Sequence, residues 1–567
     1  QVMGYERDAI GAMRQRLFNT SRQLANMEYA PKLNAAVDSM KQLSKLTRNA
    51  GDDNSIINAY VNEYEKRIAF INNPTISKLS QFATGLGFNM LLGLNPASAL
   101  VNLTQLPMVT LPYLGGEYGY DKASAAVMNA YKIFAGSGRS KTVDVFGTQG
   151  TTYTRSAMYS LDNYSAKDPA FARYKTLMGV LETQGQMSSS QVYDTLEASD
   201  GTTLGSRVNA FTGWMFHQAD RVNRQVTAIA AYDLELDRLK KAGAKTSDGI
   251  PANTLSKEER ETAAANHAVY VTEMTQGGTS AASAPRIAQG AVGRVLFMFK
   301  RYGVSMMYLQ LRMLRDALRS EDKAVRKAAM AQFAGMSGMA ALVAGVQGLP
   351  MFGALSVLYG MFKDDDEDDL EMVTRKYMGT MLTNGPLSYV TNLDFSGRVS
   401  MSDLLFREMR TGDKASVVAS ILEQLGGPVY GVASKVERGL KLMQDGNTLR
   451  GIEQVLPSGI GNIFKAARFA TEGANTLRGD PITGDVSIFN VSAQALGFSP
   501  SDYQRQNELN NRLKGIDKYV SEKETKLFRK YYTAGRMGDR EAQTEIKDEL
   551  RELFRKHPGL GSLEDAL

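Results

Sequence analysis

Along most of the chain, apolar residues recur three and four positions apart, the period that lines one face of an α-helix, and alternating strand-type patterns are almost absent. The expected fold class is all-α: an elongated, multi-helical assembly of several helical subdomains with little or no β. Residues 1–48 and 54–72 carry the pattern of two amphipathic helices, parted by "NAGDDN", whose Gly and Asp suit a turn and a helix cap. The short stretch "KTVDVFGTQGTTYTR", Lys141 to Arg155, is the exception and predicts a small hairpin.

Two long tracts carry no charge. In the first, Leu79 to Gly116, Asn95-Pro96 marks a helix start, because Asn caps the free N–H groups and Pro is preset for the first turn. Pro107 and Pro112 are expected to stop that helix. The polar Asn89, Asn102, Thr104 and Gln105 favour a buried helical hairpin over a lipid span, since each polar side chain would need a partner inside the bilayer.

The second tract, Ala331 to Phe362, lies between Arg326-Lys327 and the acidic run "KDDDEDDLE". A continuous helix here would cross about 30 Å of hydrocarbon, but "QGLP" at Gln347 to Pro350 divides it and predicts a bent hairpin. Gly335, Gly338, Ala341, Ala344, Gly345 and Gly348 permit close helix contact. Val343, Val346, Leu349, Phe352 and Leu355 are candidates for conditional membrane contact, buried by protein at rest and exposed on a change of state. In the acidic run, Asp364, Asp366 and Asp368 match the first positions of a calcium loop. Asp369 and Arg375 stand where that loop needs Gly and Glu, so the run reads as a solvated cap.

Downstream, "PSGIGNIFKAARFATEG" has the start, the amphipathic body and the Gly473 stop of a helix. The connector "NTLRGDPITGDVS" follows, in which Asp480 and Asp485 suit bonds to backbone amides. The turns and periods divide the chain at 1–78, 79–210, 211–330, 331–385, 386–500 and 501–567, the last a charged helical hairpin turning at "TAGRMGDREA".

Composition narrows the chemistry. At 567 residues the chain exceeds one core, and roughly 100–200 residues per domain suggests several compact units. The absence of Cys removes disulfides and thiolate zinc sites, and a net charge of +6 permits an anionic partner without demanding one. The three histidines, His217, His267 and His557, form no HExxH pair, and no GxSxG elbow occurs. "GSGRSKT", Gly136 to Thr142, lacks two glycines of a phosphate loop and reads as a flexible basic loop. No catalytic, cofactor-binding or metal-binding residue is therefore named. The first residue, Gln1, is not an initiator methionine, and the chain is expected to begin inside a longer polypeptide.

One helix carries a more specific pattern. In "GRVLFMFKRYGVSMMYLQLRMLRDALRSEDKAVRK", Arg301, Ser305, Tyr308, Arg312, Arg315 and Arg319 share one side, beside a line of Phe297, Val304, Leu311 and Leu318. Such a stripe suits the phosphates of double-stranded DNA, the acidic helices of another subunit, or plain solvation.

Taken together, "EQVLPSGIGNIFKAARFATEGANTLRGDPI", "AQALGFSP", "QADRVNRQVTAIAAY", "SAPRIAQGAVGRVLFMFKRY" and "LNPASALVNLTQ" resemble the C-terminal helical region of large polyvalent phage proteins, including internal virion proteins of short-tailed phages. The resemblance covers most of the chain in order, in motifs that are not catalytic. It implies a protein packed in the capsid near the portal and released with the genome to help build a conduit through the host envelope. Implied partners are copies of itself, other internal virion proteins and the portal, with phage DNA and host membrane as conditional ones. A lytic transglycosylase or other enzyme is expected only elsewhere in the polypeptide. The other reading is a helical scaffold delivered into the host to support an attached enzyme.

Overall fold

The computed structural model describes residues 9–49, 55–72, 78–137, 139–143, 153–158, 160–164, 166–184, 186, 212–278, 285–297, 300–350, 352–353, 355–356, 359, 370–395, 430–476, 481–483, 486–560 and 562–563. The protein is all-α. Its described β structure amounts to two small two-stranded sheets and isolated bridges.

The N-terminal helices α1 (Ala9–Asn49) and α2 (Ser55–Asn72) pair through Val37, Val61 and Ile68. Then come α3 (Lys78–Leu91), α4 (Pro96–Leu103), α5 (Leu111–Tyr118) and α6 (Tyr120–Gly136). Asn95 caps α4 as its sequence suggests, its side chain accepting from the Ser98 N–H at 3.4 Å.

The prolines that follow do not stop the chain's helical course. A π-helical turn, Leu106–Thr110, takes up Pro107, and Pro112 sits in the first turn of α5, where a missing N–H costs nothing. The expected hairpin is instead a bend of 90° between Phe82–Leu91 and the run Pro96–Tyr118.

The strands β1 (Arg139–Val143) and β2 (Tyr153–Met158) pair antiparallel, with Val143 opposite Tyr153. The expected basic loop is thus corrected: Gly136 ends α6, and Arg139 to Thr142 belong to β1. A phosphate loop leads from a strand into a helix, and the order here is the reverse.

The largest core forms around α8 (Trp214–Leu239). Helices α4, α6 and α9 (Lys257–Gln276) pack on it, and α7 (Pro169–Thr183) packs on α9. The helices α10 (Lys300–Arg319) and α11 (Lys323–Ala344) form a hairpin that closes on α9 and α5 respectively. The resulting apolar cluster draws on residues from Leu106 to Val343, with Val226, Ile229, Tyr232, Leu114 and Leu177 fully enclosed.

In α11 the chain leaves the helix earlier than "QGLP" suggests. The helix ends at Ala344, and Gly345 turns the chain with φ +68°. A side chain there would be strained, and its Cβ would meet the backbone oxygen of Thr383. Thr383 lies in α12 (Leu370–Asn384), which is interrupted at Gly379 and followed by α13 (Pro386–Thr391); both pack against α11. The acidic run Asp364 to Asp369 lies outside the described residues.

Toward the C-terminus come α14 (430–444), α15 (Thr448–Val455), α16 (Ser458–Glu472) and α17 (Ile488–Leu496), with β3 (Ala474–Asn475) and β4 (Pro481–Thr483) between the last two. Gly473 stops α16 as read, and the connector residues Asp480 and Asp485 lie outside the described residues. The charged pair α18 (Ser501–Met537) and α19 (Arg540–Lys556) turns at Gly538, with Asp539 capping α19, and holds its own small core of Leu527, Leu550, Leu553 and Phe554.

Candidate functional site

Three of the motifs that carry the resemblance meet in space. The bend before α4 is the meeting point: Leu94 has φ +51°, and the backbone of α16 comes so close that a Cβ on Gly459 would overlap the Leu94 carbonyl. Ser458 Oγ donates to the Met90 carbonyl at 2.8 Å. Gln494 on α17 donates to Asn462 on α16 at 3.3 Å, and Ala97 packs with Ala493 and Phe498. "LNPAS", "PSGIGN" and "AQALGF" thus form one junction, which answers what their glycines and prolines are for.

The motif "QADRVNRQVTAIAAY" lies in α8 and is interior throughout most of its length. Arg224, 2 % exposed, donates from Nε to Asp220 at 3.2 Å and from Nη2 to the carbonyls of Gln276 and Gly277 at 3.2 and 3.0 Å. Its charge sits at the C-terminal end of α9, where carbonyls lack helical partners and cations are favoured. The neighbouring Asn223 donates from Nδ2 to the Asn102 carbonyl of α4 at 2.7 Å, and Gln276 donates from Nε2 to Thr110 Oγ1 at 2.9 Å.

A cluster of titratable groups at the other end of α8 was not foreseen from sequence. Glu235 is held by Arg238 through two contacts of 2.7 Å and accepts from the Tyr118 hydroxyl at 2.9 Å. His267 Nε2 lies 3.0 Å from the same hydroxyl. A phenol has one proton, and the carboxylate takes it, so Nε2–H of His267 is the donor to the Tyr118 oxygen. Glu117 stands 3.8 Å from His267 Nε2. Burial pushes the Glu117 carboxyl above its ordinary range, and burial with the neighbouring carboxylates does the same to the Tyr118 phenol. These groups come from α5, α8 and α9, with Tyr118 separated by 117 residues from Glu235 and by 149 from His267, and no spacing rule links them. Tyr118 on α5 bridges Glu235 on α8 and His267 on α9, so the cluster acts as an interhelix staple. Among the described residues, no group of three His, Cys, Asp or Glu side chains has the arrangement to hold a metal ion.

The basic stripe on α10 divides. Arg301 donates to the Gly278 carbonyl at 3.4 Å, and Arg312 donates to the Tyr270 hydroxyl and stands over its ring. Both therefore reach back onto α9 and the residues after it. Tyr308, Arg315 and Arg319 face outward, with Arg315 paired to Asp316 at 2.7 Å. The buried side of α10 is Gly303, Met306, Leu309, Gln310 and Met313.

The five residues considered for conditional membrane contact differ in burial. Val343 is buried in the main core, Val346, Leu349 and Phe352 are half-buried, and Leu355 is exposed. No single helix among the described residues is long and apolar enough to cross a membrane. The bent pair Phe82–Leu91 and Pro96–Tyr118 passes by length and composition together, though Leu106, Val109, Thr110 and Leu114 of its second arm are buried in protein. Comparison of the chain with protein-family models, with curated proteins and with solved structures finds no match in any of the three.

Proposed function

We propose that this chain is a structural segment of a phage internal virion protein, stored near the portal with copies of itself and other internal proteins, and released with the genome to help form the delivery conduit across the host envelope. The observation that supports a structural rather than catalytic role is the use made of the motif residues. Gly459, Asn95, Asn102, Asn223 and Arg224 are committed to close backbone approach, capping and buried bonds between helices. The motifs specify an assembly of helices.

Imaging of particles before and after genome release tests the proposal. Density for the chain should move from the capsid interior to the envelope. A chain found only in the host cytoplasm, attached to an enzyme, would favour the delivered-scaffold role instead, and turnover of peptidoglycan by this chain, abolished by one point change, would overturn the structural reading.

A further inference from the structure

The outward side of α10, the turn after it and the first turns of α11 form an exposed tip of the hairpin. From Arg315 to Lys327 it carries five cations, Arg315, Arg319, Lys323, Arg326 and Lys327, against three acids. Two of those acids are engaged within the fold. Asp316 pairs with Arg315 and Arg312, and Asp322 caps α11 by accepting from the N–H groups of Ala324 and Val325. The cations are exposed.

Solvation alone accounts poorly for what lies between them. Leu318 is 71 % exposed and Leu311 45 %, both on the same side of α10 as Tyr308, Arg315 and Arg319, and Val325 and Met330 are exposed on α11. A surface that only tracks phosphates has no use for aliphatic side chains standing in water. A surface that sits at a lipid headgroup layer uses both kinds: the aliphatic side chains enter the acyl boundary while Lys and Arg meet anionic phosphates.

We infer that the α10–α11 tip is a docking surface for an anionic lipid bilayer, bound peripherally through Leu311 and Leu318 flanked by Arg315, Arg319 and Lys323. The partner follows from charge complementarity joined to exposed apolar area. The inference stands on this surface alone, whatever particle or compartment holds the chain, so its failure and that of the conduit reading are separable.

The test uses the full chain in flotation with vesicles of phosphatidylcholine alone and of phosphatidylcholine with phosphatidylglycerol, beside a mobility assay with duplex DNA. The chain should float only with the anionic vesicles. The pair L311S/L318S should weaken flotation by about tenfold, and R315Q/R319Q/K323Q should abolish its dependence on phosphatidylglycerol. Circular dichroism checks the fold, and L318S alone serves if the double change disturbs it. No flotation with anionic vesicles, flotation indifferent to the leucines, or DNA binding that needs the arginines while vesicles are ignored would each overturn the inference.

Discussion

The α8 neighbourhood and the C-terminal hairpin place their polar and charged groups in opposite ways. Around α8, Asp220, Asn223, Arg224, Gln225, Asp233 and Glu235 are all inside, each bonded either along α8, as in Arg224 with Asp220, or to another element, as in Asp233 with Tyr174. In α18–α19 the buried contacts are Leu527, Leu550, Leu553 and Phe554, and pairs such as Arg551 with Asp548, at 2.7 Å, stand in solvent. A helix packed on several sides has nowhere to put polar groups except against other polar groups. A two-helix hairpin has an outside for every charge. The same residue types therefore carry very different weights in the two regions.

The sharpest way to break this contrast is to remove one interior charge. Arg224→Ala leaves Asp220 buried without its partner and the α9 carbonyls uncapped, and should cost about 3–5 kcal/mol. Urea unfolding followed by circular dichroism measures it; a loss within error of zero would show that the interior pairing carries no stability.

A pH titration sharpens the comparison further. Burial pushes the His217 imidazole down to about 4 from 6.5. Because the folded protein binds that proton more weakly than the unfolded chain, the stability it contributes is present above about 6.5 and is lost as the pH falls toward about 4. His217→Gln should flatten that decline in urea midpoints across the window. An unchanged slope would remove His217 from the account.

The smallest effect belongs to the hairpin. Arg551→Gln removes a pair in which both side chains are mostly exposed and should change stability by about 0.5 kcal/mol or less. Hydrogen exchange of α19 gives the readout, and a loss as large as that of Arg224→Ala would erase the distinction.

The contrast also explains what was legible in the sequence. The helices α18 and α19, their turn at Gly538, the cap at Asn95 and the stop at Gly473 follow from local signals: a period, a capping side chain, a residue that tolerates positive φ. The chain's helical nature follows from the same signals. What escaped reading depends on distant partners. Arg301 and Arg312 share a helix face with Arg315, yet only a view of α9 separates them, because their partners Gly278 and Tyr270 come from another element. The Tyr118, Glu235 and His267 cluster joins three helices and leaves no mark at any one of them. The break at Gly345 precedes the conspicuous proline because the backbone of Thr383 to Gly385 needs the room. Of the basic surface, the side was readable and the division was not.

The wide turn at Leu106–Thr110 has a consequence for the whole uncharged run. In an α-helix each residue advances the chain by about 100° around the axis, so one extra residue held in a π turn resets the phase of everything after it. Before the turn, Asn102 is aimed at Asn223 on α8; after it, the Tyr113 carbonyl meets Gln332 on α11 and Tyr118 reaches Glu235. Two angular schedules thus run along one rod. Deleting a single residue between 106 and 110 would merge them, leaving either the Asn223 contact or the Gln332 contact in register, but not both.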